Sequence, residues 1–136
     1  MRIVLSLVVL SLVGITGIAQ CVSDRLETNA LAGRVLSVWS GGTEPIKGAV
    51  ITVRKSAVST SIVSSNVSDS DGNFDLPSLH SGSYVLSVTA EHFAELAVPL
   101  TIRSRKPKER RDSLEITLGL PSPRVDQCIG TVRIQR

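Results

Sequence analysis

Aromatic residues are nearly missing from this 136-residue chain, which holds one Trp, one Tyr and two Phe. So thin a supply excludes the stacking platforms on which single-stranded nucleic acids are held. It leaves Trp39 and Phe93, both beside loops, as the surfaces on which a sugar ring could lie. Histidine is as scarce, with His80 and His92 alone. A catalytic or metal site built on them would have to gather both, with Asp69, Asp71, Asp75 or Glu91, in one cleft. Each instead stands beside turn residues, where polar side chains are expected in any case. No serine lies in a Gly-x-Ser-x-Gly elbow, so a serine nucleophile has no support. Cysteine is limited to Cys21 and Cys128, too far apart for a two-cysteine metal or redox motif. No segment carries an apolar stripe at helical spacing. Charge is close to balanced, 15 Lys and Arg against 12 Asp and Glu for a net +3, which describes a soluble surface and not a nucleic-acid footprint.

What is present begins with an export signal. Met1-Arg2 precedes an apolar run from Ile3 to Val13, then small residues ending Gly17-Ile18-Ala19. One positive charge, an apolar stretch of about 7–15 residues and a small-x-small ending are the parts of a secretory leader. A membrane anchor fits less well, because a span needs about 20 apolar residues and Ser6, Ser11, Gly14, Thr16 and Gly17 interrupt this one. Residues 1–19 are therefore expected to be removed, placing the protein outside the cytoplasm as a secreted, periplasmic or cell-surface chain. In that setting Cys21 and Cys128 read as one disulfide; closing a loop of roughly 100 residues contributes about 4–5 kcal/mol in the chain-entropy account. A lipid on Cys21 is the alternative: Ile18-Ala19 suit it, but Gln20 stands where a small residue is required.

The remainder is enough chain for one core and too little for two. Residues 20–30 read as a polar lead-in. From Leu31 the pattern is that of β-strands. Leu31–Trp39 is a first strand, with Gly33 marking a close backbone approach. Residues 40–45 are a loop, and 48–55 is a second strand rich in β-branched residues. Ile62–Val67 is a third. Asp71-Gly72 supplies the positive φ of a tight turn, after which Phe74 and Leu76 point inward. Tyr84, Leu86 and Val88 alternate with Val85, Ser87 and Thr89. In the next strand Leu96, Val98, Leu100 and Ile102 share a face, and Pro99 demotes it toward an edge or a bulge. Leu114, Ile116 and Leu118 alternate in another. Residues 120–136 form a tail whose 128–134 segment is a possible extra edge strand. Strands recurring at about 8–12 residues with Gly, Pro and Asp between them indicate an all-β Greek-key sandwich.

In order and at intervals, Gly33-Arg-Val35, Pro45-Ile-Lys-Gly-Ala-Val-Ile-Thr-Val53, Ser70-Asp-Gly-Asn-Phe74, Leu79, Ser81-Gly-Ser-Tyr-Val-Leu-Ser-Val88 and Ala90-Glu-His-Phe93 resemble the carboxypeptidase regulatory-like domain family. The resemblance covers residues 31–119 and implies a seven-stranded, transthyretin-like sandwich. It further implies an accessory module without catalysis, of the kind attached to secreted peptidases, outer-membrane receptors or surface proteins. A related transthyretin-like hydrolase of the purine pathway uses His and Arg and a Tyr-Arg-Gly-Ser ending. This chain ends Thr-Val-Arg-Ile-Gln-Arg136, so that activity is not carried over.

Three further features bear on sites. Asp69, Asp71, Asn73 and Asp75 alternate oxygen ligands much as a calcium loop does, but no downstream bidentate Glu follows; a turn held by Asx hydrogen bonds is the expectation. Arg103–Arg111 carries six cations and one Glu, and reads as a solvated hairpin loop. Asn66-Val-Ser68 is a glycosylation sequon, meaningful only in a eukaryotic secretory pathway. The expected protein is not an enzyme and takes no cofactor or metal. It is an exported binding module whose partner is a protein or glycan, with no nucleic acid. A carbohydrate-binding module of the same sandwich class, using Trp39 and Phe93, is the alternative.

Overall fold

Alternation in sequence becomes alternation in burial. The structure, a computed structural model, describes residues 26–39, 41–121 and 130–136, with the Trp39 side chain excepted. The expected leader, Cys21, Cys128 and their proposed bridge lie outside the described residues. Among the described residues ten strands form: β1 (Leu26–Thr28), β2 (Ala32–Trp39), β3 (Gly42–Pro45), β4 (Val50–Arg54), β5 (Ile62–Val67), β6 (Asn73–Asp75), β7 (Gly82–Thr89), β8 (Leu96–Ile102), β9 (Ser113–Leu118) and β10 (Thr131–Gln135). They make two sheets in the orders β1-β8-β7-β4-β5 and β10-β9-β2-β3, with β6 also paired to β2. Among the described residues no helix is long and apolar enough to cross a membrane.

The core lies between the sheets. Ile51 and Val53 of β4, Leu86 and Val88 of β7, Val35 of β2, and Ile116 and Leu118 of β9 are fully buried. β8 turns Leu96, Val98, Leu100 and Ile102 inward and leaves Ala97 and Pro99 exposed, the side-chain period of two that a strand imposes. At about 25 cal/mol per Å2 of apolar surface removed from water, these inward rows are what hold the two layers together.

Two glycines do what their positions ask. A Cβ on Gly33 would stand 1.8 Å from the Leu114 carbonyl oxygen, across the parallel β2–β9 ladder. Only a residue without a side chain lets those backbones meet. Gly72 has a φ of 76°, and a Cβ there would approach the Val35 carbonyl oxygen to 2.5 Å. The expected turn and the expected close approach are both present.

The strand count departs from the seven expected, and the segments responsible have a common cause. β1 falls in the stretch read as lead-in and runs parallel to β8, Leu26 opposite Leu100. β3 falls in the stretch read as a loop and forms a hairpin with β2, Leu36 opposite Pro45. β1 has three residues and all four residues of β3 are exposed, so neither shows an apolar face from which a period could be read. Pro99 behaves as its missing N–H demands. The β1 ladder on that side of β8 begins only at Leu100, so Pro99 occupies the part of β8 that is still an edge.

Candidate functional site

Expected site residues are scattered, and the structure shows why. His80 precedes β7 and His92 follows it, so the length of an eight-residue strand separates them, about 26 Å at ~3.3 Å per residue. His92 is exposed beside Glu91, at 3.5 Å. The turn acids do not gather around a common point either. Asp69 Oδ1 accepts the backbone N–H groups of Asp71 and Asn73, both at 2.9 Å, and the Asp69 N–H donates to the Asn73 carbonyl at 3.0 Å. Asp75 turns away to Arg111, 3.1 Å from its Nη2. Among the described residues no three His, Cys, Asp or Glu side chains could hold a metal ion together.

Of the aromatics, Phe74 and Tyr84 are buried. Tyr84 donates its hydroxyl to the His80 carbonyl at 2.7 Å, and Lys55 Nζ lies 4.9 Å from its ring centre. Phe93 is half-buried and packs against the core. Trp39 closes β2 opposite Gly42. Asn66 is held locally: its amide donates to the Asp75 carbonyl, and its Oδ1 accepts the Val67 N–H at 2.7 Å.

The concave feature lies elsewhere, at the end of the sandwich where β6 leads into β7 and β8 leads into β9. Two adjoining recesses of about 330 and 460 Å3 share Leu76, Ser78, Arg105 and Arg111. The deeper one reaches Leu31, Leu79 and Ile102. Its walls are tied together from several sides. Ser81 Oγ meets Ser104 Oγ at 2.9 Å, joining the two loops. Asn29 donates its backbone N–H to Asp112 Oδ2 at 3.0 Å and accepts the Asp112 N–H at 2.7 Å. The Asn29 amide also donates to the Arg110 carbonyl at 2.8 Å. Thr28, fully buried, adds its hydroxyl 3.4 Å from Asp112 Oδ2.

Within the loop, Glu109 grips both Nη1 and Nη2 of Arg103, at 3.0 and 2.5 Å, and accepts the Lys106 N–H at 2.8 Å. These hydrogen bonds, first from the Arg103 guanidinium and then from the Lys106 amide, hold the Glu109 carboxyl down at about 2. The same pairing pushes the Arg103 guanidinium up. Arg103 is thus occupied. Arg111 pairs with Asp75 in a half-exposed contact, a setting in which ion pairs contribute little. Arg105 makes no ion pair among the described residues and is exposed.

From the sequence Arg103–Arg111 is expected as a solvated loop, and nothing in it groups Arg105 and Arg111 with Ser78 and Ser104. Its one usable signal was a run of six cations with a single Glu. What brings residues 76–79 against residues 103–111 is strand topology, which a local pattern does not carry.

An all-β, transthyretin-like sandwich with this topology is what the structure defines. A family model described as the carboxypeptidase regulatory-like domain matches residues 30–118. The chain belongs to that family. Among curated proteins no match is found. Among solved structures, the 5-hydroxyisourate hydrolase of Klebsiella pneumoniae is similar at 13% identity, covering 79% of this chain and 99% of that one, with a TM-score of 0.54. An (S)-allantoin synthase is similar at 12% identity, covering 80% of this chain and 46% of that one, with a TM-score of 0.46. One expectation is corrected by this. The sandwich was read as a scaffold without catalysis, and the chain as not an enzyme. The hydrolase shows that the same fold carries an active enzyme, so the fold gives no ground for that exclusion. At 13% identity the likeness speaks for the fold and not for that reaction.

Proposed function

We propose that this chain is an exported binding module whose mature domain engages a partner protein outside the cytoplasm through the arginine-lined recess. The observation that carries this reading is the recess itself. Two loops and the segment before β2 converge there on a depression over the edge of the core, and its walls are pinned by hydrogen bonds. A pre-organised concave surface loses little freedom when it binds. Its volume is that of a small-ligand pocket, so it suits the end or a single side chain of a partner. A protein partner is favoured over a glycan because the recess is lined by arginines, serines and aliphatic residues and by no aromatic side chain, and Phe93, one of the two aromatics a sugar could use, rests on the core. The leader-like segment 1–19 supports export.

The test joins location to contact. A photo-crosslinking residue is placed at Ser78, on the rim, and separately at Val58, which is 92% exposed and not part of the recess. The reading expects the protein outside the cytoplasm with its first residue at Gln20, and a discrete protein adduct from position 78 but not from position 58. A chain that stays in the cytoplasm with residues 1–19 attached, or adducts that do not depend on position, overturns it.

A further inference from the structure

The charges around the recess define the ligand more narrowly than its shape does. Three arginines line the recess, and they are not equivalent. Arg103 is held on both Nη atoms by Glu109, with Glu27 3.7 Å from its Nε. Its charge is answered from within the loop. Among the described residues Arg111 is answered by Asp75 alone, at 3.1 Å, with 48% and 66% of the two side chains in solvent. Arg105 has no acidic partner among the described residues, and it lines both recesses together with Arg111.

Among the side chains that line the recess, the sum is one cation without an ion pair beside one whose partner is readily displaced; Lys106, Lys108 and Arg110 of the same loop line neither recess. That balance matches a single negative charge better than a double one. A planar guanidinium takes a carboxylate through two parallel N–H donors, and such pairs are among the strongest hydrogen bonds available at a surface. Below the rim the recess reaches half-buried Leu79 over Leu76 and Ile102, which are 2% and 5% exposed, so the group carrying the acid meets a small aliphatic surface, chiefly that of Leu79. Ser78 and Ser104 add hydroxyls at the same mouth.

We propose that the recess is a carboxylate site, in which Arg105 and Arg111 hold the acid of a monoanionic ligand whose aliphatic part lies over Leu76, Leu79 and Ile102. The ligand's carboxylate takes the place of Asp75 on Arg111. This inference rests on the binding-module reading and names the chemistry that its site accepts. The carboxylate comes either from the C-terminus of a polypeptide or from a free small acid.

The experiment titrates the purified protein, followed by amide chemical shifts, with four probes. They are N-acetyl-leucine, N-acetyl-leucinamide, acetyl-Ala-Ala-Ala-Leu with a free C-terminus, and the same peptide amidated. Both acids, or the longer one alone, are expected to shift residues 76–79 and 103–111, and the amides are not. Binding of the longer acid as tightly as or more tightly than N-acetyl-leucine assigns the site to a polypeptide end; N-acetyl-leucine binding more tightly than the peptide assigns it to a free acid. Arg105→Gln is expected to weaken the acid about tenfold, the loss of one charged hydrogen-bond pair, while leaving the spectrum of the core strands unchanged. Asp75→Asn releases Arg111 and is expected to strengthen binding several-fold. Amides that bind as well as acids, inorganic phosphate that displaces the acids more strongly than they displace one another, or an Arg105→Gln protein of unchanged affinity each overturn the proposal. Because the crosslinking experiment scores any partner at position 78, a failed titration beside a successful crosslink removes the carboxylate and leaves the module.

Discussion

The turn over residues 69–73 and the loop over residues 103–112 are both rich in charged groups, and they use them differently. In the turn, one carboxylate, Asp69, takes up the amides of Asp71 and Asn73, while Gly72 supplies the positive φ that lets the chain reverse. In the loop, the Arg103–Glu109 pair fixes the backbone, yet Arg105 is left facing outward without an acid. Charge that is consumed locally makes structure, and charge left over is what a partner can meet. An alternation of acids resembling a calcium loop and a run of cations resembling a solvated hairpin are therefore told apart by their hydrogen bonds, not by their composition.

The comparison breaks if damage to the turn alters binding or if damage to the cations alters stability. The largest effect is expected at the turn. Gly72→Ala places a side chain at a φ of 76° and 2.5 Å from the Val35 carbonyl oxygen, and should cost about 3 kcal/mol from strain and overpacking together, read from the urea midpoint. Asp112→Ala comes next. It removes a carboxylate with 4% of its side chain in solvent and strands the Asn29 N–H, for about 2 kcal/mol and loosened amide-exchange protection at Asn29. Asp69→Ala should cost about 1 kcal/mol, the usual loss when a side-chain oxygen that caps backbone amides is removed, with binding at the recess unchanged.

Acid affects the loop through Glu109. Its folded-state pKa lies below the ordinary value near 4.3, so its contribution is fully present above that value and is lost as pH falls through about 2. Amide exchange at Lys106 should stay protected at pH 4 and fail near pH 2; protection lost already at pH 4 would show that the Arg103 pairing is not formed. The smallest effect is at Arg105: Arg105→Gln should leave the unfolding free energy in urea within about 0.5 kcal/mol, as for a surface residue without partners. A larger loss would make Arg105 part of the scaffold and would remove the contrast between the two loops.

Much of the sandwich could be read from residues alone because its inner strands alternate. β4, β7, β8 and β9 carry apolar residues on every second position, and Gly33 and Gly72 stand where their lack of a side chain is needed. β1 and β3 escaped because a three-residue strand and a fully exposed one have no period to show. The recess escaped for a different reason. Leu76 and Arg105 come together only because β6, β7 and β8 fold back on themselves, and a linear pattern contains the side chains but not the distance between them. The Asp69–Asp75 segment was legible as a turn, since Asx hydrogen bonding is local and follows from spacing alone.

The two parallel ladders also set an order of events in time. Leu26 lies beside Leu100 and Gly33 beside Leu114, and the Thr28–Asp112 contact joins positions 84 residues apart. As the chain is made, β1 has no strand partner until β8 is complete, and β2 lacks its parallel partner β9 until later still. Contacts of such long range close slowly, on the millisecond-to-second scale typical of sandwiches. During that wait β2 can lean on its own hairpin with β3, whereas β1 has nothing local to hold. The last element to settle is therefore expected to be one of the first to be synthesised, and β1 leaves an edge of β8 open until it docks.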